Sequence, residues 1–181
     1  PFVEEATKDF PNKKLKITVR LFFGETGIDE KNTAFHYFLK DSLKNASIMI
    51  YDGHSGLGGN LDLADIADTQ GFRFEFDKSK YQIFFFNSCT SYTYYNSLYF
   101  QRKRKKGRGP DPKGTKNLDI LANGLATAFE DMPKTDLALI KAVDTWVSRG
   151  QWTSYQRLAK DIDTDNLFTV NGDEDNPPPS R

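Results

Sequence analysis

The chemistry-bearing residues of this chain stand at the ends of two apolar runs. Cys89, the only cysteine, follows YQIFFF (81–86) through Asn87 and Ser88, and His54 follows ASIMIY (46–51) through Asp52 and Gly53. A cysteine reacts as its thiolate, and an imidazole beside it can take its proton and later hand one to a leaving amine. Acyl transfer also needs backbone N–H groups aimed at the developing oxyanion. The amides of the Ser55–Gly56 turn and of Cys89 itself are the nearest donors. Glycines at 53, 56, 58 and 59 let a bound peptide approach the backbone without Cβ interference. Asp52, Asn87 and Ser88 are the flanking polar residues, candidates to line a substrate groove. Asp52 has a second possible role, orienting the turn by accepting local amides.

Open α/β sheets present their reactive groups just beyond the carboxyl ends of the strands. Two adjacent parallel strands ending at His54 and Cys89 would therefore bring both side chains to one rim. An unpaired cysteine is more often plain core. Here, however, both groups follow buried-strand patterns and sit among small polar residues, which favours a site. His36 falls inside a helical pattern at the border of its apolar stripe, where a half-buried packing role is expected. His54 is thus the partner for Cys89.

The positioning elements follow from periodicity. Residues 14–23 (KLKITVRLFF) alternate, placing Leu15, Ile17, Val19 and Leu21 on one face of a strand whose other side is solvated. Residues 1–13 are polar and mixed. A helix is expected over 33–44, from Phe35, Phe38, Leu39 and Leu43. Buried strands are expected at 46–51 and 81–86, a helical turn at 61–68, and a strand or hairpin arm through Phe72, Phe74 and Phe76. The stretch 118–125 reads as a strand, with a short helix as the alternative. A helix capped by Thr135 carries Leu139, Ile140, Val143, Trp146 and Val147 on one side. Residues 102–117 are basic, contain Gly and Pro, and read as a mobile surface loop in which 102–108 offers a processing site. A Pro-rich tail over 172–181 is expected to be disordered.

The expected fold is a single α/β domain spanning 1–181, with a mostly parallel central sheet flanked by helices on both faces. Lys plus Arg and Asp plus Glu number 25 each, so no global field draws the chain to nucleic acid or to a membrane. No apolar run approaches the roughly 20 residues of a membrane span. No signal-peptide pattern is visible.

The stretches IMIYDGHSGLGG (48–59) and QIFFFNSCTS (82–91) resemble the caspase–haemoglobinase clan of cysteine peptidases, which includes caspases, legumains, separases, clostripain and gingipains. The short separation of His54 and Cys89 is closer to the gingipain side of the clan. LDILANGLATAF (118–129) and NLFTVNGDEDNP (166–177) are faintly similar to gingipain-like domains. The resemblance implies a caspase-like domain that hydrolyses peptide bonds, with His54 as general acid or base and Cys89 as nucleophile through a thioester. It also implies an oxyanion hole from the amide of Cys89 and an amide just after His54. The family's His-Gly is here His54-Ser55-Gly56, a departure that alters the turn. No cofactor or metal is implied, the partner is a peptide or protein substrate, and a secreted or periplasmic bacterial setting follows by analogy. An ion at the acidic run Asp173-Glu174-Asp175 is a further option, with an exposed acidic tail the simpler account.

Two other readings stand beside this one. A fold of the same type can serve as a non-catalytic binding module. The stretch YDGHSG is also similar to the metal-binding turn of metal-dependent Ser/Thr phosphatases, but Asn123 stands where such a site needs a carboxylate.

Overall fold

The computed structural model describes residues 2–26, 30–31, 33–107, 109–163 and 165–172. The chain opens with a hairpin of β1 (Phe2–Phe10) and β2 (Leu15–Phe23), paired antiparallel from Phe2↔Phe23 to Phe10↔Leu15. It continues through α1 (Ala34–Asn45), β3 (Ile48–Asp52), α2 (Leu63–Gln70), β4 (Gln82–Asn87) and α3 (Ser91–Lys103). The second half holds β5 (Leu118–Asn123), α4 (Met132–Arg149), α5 (Tyr155–Ile162) and β6 (Phe168–Asn171).

The central sheet has the order β3-β4-β5-β6, with the first three strands parallel and β6 antiparallel to β5. Alternation along β4 sends its side chains to both faces, as a strand buried on two sides requires. Phe84 and Phe86 join Leu39 and Leu43 of α1, Leu63 and Ile66 of α2, and Tyr95 and Tyr99 of α3. Phe85 points the other way, to Leu139 of α4, Leu158 and Ile162 of α5, and Phe168 of β6. The α/β class, the mostly parallel sheet and the helices on both faces thus match expectation. The antiparallel hairpin sheet is an addition.

Local chemistry sets the helix ends. Thr33 caps α1 through its hydroxyl, which accepts from the His36 amide at 3.4 Å. The Asp62 carboxylate caps α2, accepting from Ala64 and Asp65, and Ser154 caps α5. Pro133 sits in the first turn of α4, so that helix starts at Met132 rather than at Thr135, which is buried inside it. Its expected apolar side divides: Leu139 and Val147 are buried, whereas Ile140 and Trp146 are exposed.

Several expectations are corrected. Phe72, Phe74 and Phe76 lie on an extended segment outside any strand, their rings packed on the first core cluster. His36 is fully buried rather than half-buried; its Nδ1 lies 2.5 Å from the Thr33 hydroxyl, and burial lowers its pKa. The apolar stripe of β2 does not face the core. Phe22, from the opposite face, packs on Phe35 and Phe38, and Arg20 pairs with Asp41 of α1.

Within 102–117, Lys103 belongs to α3 and is buried, with its ammonium donating to the carbonyls of Asp77 and Lys80 at 2.8 Å each. Buried Asp111 accepts from the amides of Gly114 at 2.7 Å and Lys116 at 3.1 Å. Gly114 has φ +85°, and a Cβ there would lie 1.9 Å from the Phe100 carbonyl oxygen, so only glycine fits. The residues of the 173–181 tail, including Asp173, Glu174 and Asp175, lie outside the described residues.

Candidate functional site

Parallel pairing of β3 and β4 in the register Asp52↔Asn87 ends both strands at one rim, and the Gly53 amide still reaches the Asn87 carbonyl at 3.4 Å. His54 and Cys89 each lie two residues beyond that last pair. The expected placement at neighbouring strand ends therefore holds. The thiol and the imidazole form no hydrogen bond with each other among the described contacts.

Their common neighbour is the segment 124–131 between β5 and α4. The Cys89 thiol donates to the Thr127 carbonyl at 3.7 Å, and its sulfur accepts from the Thr127 amide at 3.4 Å. Two residues on, the Phe129 ring meets the imidazole of His54 edge to face, centroids 4.7 Å apart. One short segment thus touches both side chains, the thiol through its backbone and the imidazole through a ring.

Each turn is built around backbone that ordinary residues avoid. After His54, Gly56, Leu57 and Gly58 have φ of +56°, +54° and +95° in succession. After Cys89, Thr90 has φ +52° and leads into α3. Left-handed Leu57 and Thr90 store about 1 kcal/mol or more each, the kind of strain that clusters at functional sites. The His54 carbonyl accepts from the Tyr51 hydroxyl at 2.6 Å and from the Asn60 amide group at 2.7 Å. The Ser55 carbonyl accepts from the Tyr95 hydroxyl at 2.9 Å. Ser55 is itself buried, whereas His54 and Gly56 are exposed. Among the described residues, the amides of Ser55, Gly56 and Cys89 donate to no protein acceptor outside the helices and strands. Cys89 is partly exposed, and the amide end of α3 beside it is where a helix favours negative charge.

Beneath the rim lies a polar network. Asn87, fully buried, donates to the Met132 carbonyl at 3.2 Å, the Thr135 hydroxyl at 2.8 Å and an Asp136 carboxylate oxygen at 2.9 Å. Asn123 donates to the Thr127 hydroxyl at 2.7 Å, and Asn166 reaches the same oxygen at 3.4 Å. Ser88 is fully buried with its hydroxyl unpartnered among the described residues. Of the three groove candidates, Asp52 alone is exposed, while Asn87 and Ser88 form the support below. Asp52 is hydrogen-bonded to Asp136, so two carboxyls share the end of β3 and the start of α4. Burial first, and then the Asp52 charge, push Asp136 up to about 7; burial also raises Asp52.

Sequence reading missed Thr127, Phe129 and Asp136. Thr127 and Phe129 belong to LANGLATAF, which carries no ionisable group, and Asp136, next to the expected cap Thr135, reads from sequence as a charge that favours a helix start rather than as part of a site. The position of 124–131 just past a parallel strand is the signal that could have found the first two. No family model matches the chain, and neither a curated protein nor a solved structure matches it.

Proposed function

We propose that the chain is a cysteine endopeptidase of caspase-like fold, in which Cys89 attacks the peptide carbonyl and His54 moves the proton. The observation that carries this reading is the segment 124–131, which contacts the thiol through Thr127 and the imidazole through Phe129. A peptide entering at that segment would meet both side chains and the amides of Ser55, Gly56 and Cys89. Attack forms a thioester and releases the amine with the proton carried by His54; water then hydrolyses the thioester. Oxyanion charge falls on the backbone amides. Of the oppositely charged pockets such peptidases can have, the Asp52–Asp136 pair favours a basic residue before the cut bond.

Profiling a fluorogenic peptide library tests the proposal. Cys89→Ala should abolish hydrolysis, and His54→Ala should lower kcat/KM by about 10²–10⁴-fold. Undiminished turnover by Cys89→Ala would sink it. Iodoacetamide should block wild-type activity quickly at neutral pH and modify the His54→Ala thiol far more slowly.

A non-catalytic module of the same fold is the second reading, favoured by the thiol resting on Thr127 rather than on the imidazole. It expects no hydrolysis and slow alkylation in both proteins. The phosphatase reading is weaker still. Among the described residues no three His, Cys, Asp or Glu side chains gather as metal ligands, and Asn123 is committed to Thr127.

A further inference from the structure

The β1–β2 hairpin docks on the core through β2 alone, by Phe22 against Phe35 and Phe38 and by the Arg20–Asp41 pair, which leaves β1 on its outer side. β1 pairs only with β2 among the described strands, and its residues 3–9 are exposed, so its outer edge presents unpaired backbone. An isolated two-stranded hairpin is marginal in water, and free edges are managed by charge or covered. Its apolar face is also open: Val19, Leu21 and Phe23 are 60%, 52% and 75% exposed.

The sequence of β1 indicates what covers the edge. Positions 4, 6, 8 and 10 share one face and read Glu, Ala, Lys, Phe. The order from Glu4 to Lys8 maps onto itself, with opposite charges exchanged, when the strand is turned end for end about Ala6. Antiparallel pairing with a second β1 would set Glu4 against Lys8 twice and Ala6 against Ala6, with Glu5 opposite Thr7 and Val3 opposite Asp9 on the other face. Shifting the centre by half a residue, to between Ala6 and Thr7, keeps one opposite-charge match, Glu5 with Lys8, but sets Glu4 against Asp9, a like-charge clash that the Ala6-centred register avoids. The alternative edge, β2, has no charge match: a two-fold through Val19 sets apolar Leu15 and Ile17 opposite Phe23 and Leu21, but on its other face Lys16 meets Phe22 and Thr18 meets Arg20.

We propose that β1 is a self-pairing edge that joins two copies of this chain through a continuous four-stranded sheet, β2-β1-β1-β2, with the two-fold axis at Ala6. Charge complementarity selects this occupant, because opposite charges placed directly across a ladder stabilise the pair and like charges oppose it. The interface is isologous, as two-fold dimers require. One strand edge buries less than a standard interface, which places it among weak, concentration-dependent associations.

Sedimentation equilibrium of the full chain from about 1 to 200 μM tests this. Wild type should dimerise. Glu4→Lys and Lys8→Glu each turn both seam pairs into like-charge pairs, and each should weaken the dimer about tenfold or more. The double variant, Glu4→Lys with Lys8→Glu, restores complementarity and should recover the wild-type dissociation constant. Circular dichroism distinguishes weakened association from unfolding. In a Cys89→Ser background, Ala6→Cys should form an intermolecular disulfide at the axis faster than Thr7→Cys. A wild type monomeric throughout, single variants that dimerise unchanged, or a double variant that stays weak each overturns the proposal. A monomer would leave the edge to some other protein.

Discussion

Replacing Asp136 by Asn isolates the energetics of the carboxyl pair. Asp136 lies half-buried against Asp52, with Asn87 donating to it at 2.9 Å, and its pKa stands at about 7 against an ordinary 3.8. The folded state therefore holds a proton that the unfolded chain gives up. The resulting stability is fully present below about pH 4 and is lost as pH rises through 7. At about 1.4 kcal/mol per tenfold, the full rise would correspond to roughly 4 kcal/mol for a sealed group. Asp52 is exposed and water screens the pair, so about 1–3 kcal/mol is the expected loss. Asp136→Asn keeps an acceptor for Asn87, offers Asp52 a donor and removes the titration. Urea unfolding at pH 5, 6, 7 and 8 is the assay, and the difference between the two proteins cancels the titrating groups outside the Asp52–Asp136 pair. The variant should gain about 1–3 kcal/mol over wild type on going from pH 5 to pH 8. A difference that stays flat, or a variant that loses ground at pH 8, would refute the shared-proton account.

Two further substitutions probe the supports of the site. Gly114→Ala combines a left-handed φ with a Cβ only 1.9 Å from the Phe100 carbonyl oxygen, so a loss of about 3 kcal/mol or more is expected in thermal unfolding. A change under 1 kcal/mol would show that the loop yields easily. Thr127→Val removes the hydroxyl that accepts from Asn166 and gives Asn123 its shortest bond, leaving Asn123 the longer ones to Asn87 and the Ser88 carbonyl. It should cost about 1–3 kcal/mol and change the alkylation rate of Cys89, read by mass spectrometry. An unaltered alkylation rate would mean that Thr127 does not hold the segment in place.

Much of the fold was legible because buried strands announce themselves. IMIY and IFFF are apolar without interruption, and such runs belong in the middle of a covered sheet. The two turns that follow them were readable for the same reason. β1 was not legible: FVEEATKDF carries four charges in nine residues, and its partner strand rather than a core makes it extended. In β2 the alternation was read correctly and its direction was not, because pattern alone cannot say that Arg20 and Phe22 would meet α1. α3 escaped notice since SYTYYNSLYF is rich in residues that favour strands, and burial of Tyr95 and Tyr99 overrides that preference. The Asp52–Asp136 pair joins residues 84 positions apart and belongs to tertiary structure alone.

The segment that touches both reactive side chains is held from the far end of the chain. Gly124 and Leu125 donate to the carbonyls of Leu167 and Asn166, and the adjoining β6 closes the sheet beside β5. During synthesis, His54 and Cys89 leave the ribosome long before that last strand exists. Until it arrives, the segment that touches the thiol and the imidazole lacks its anchor, so the surroundings of both side chains are completed late in synthesis.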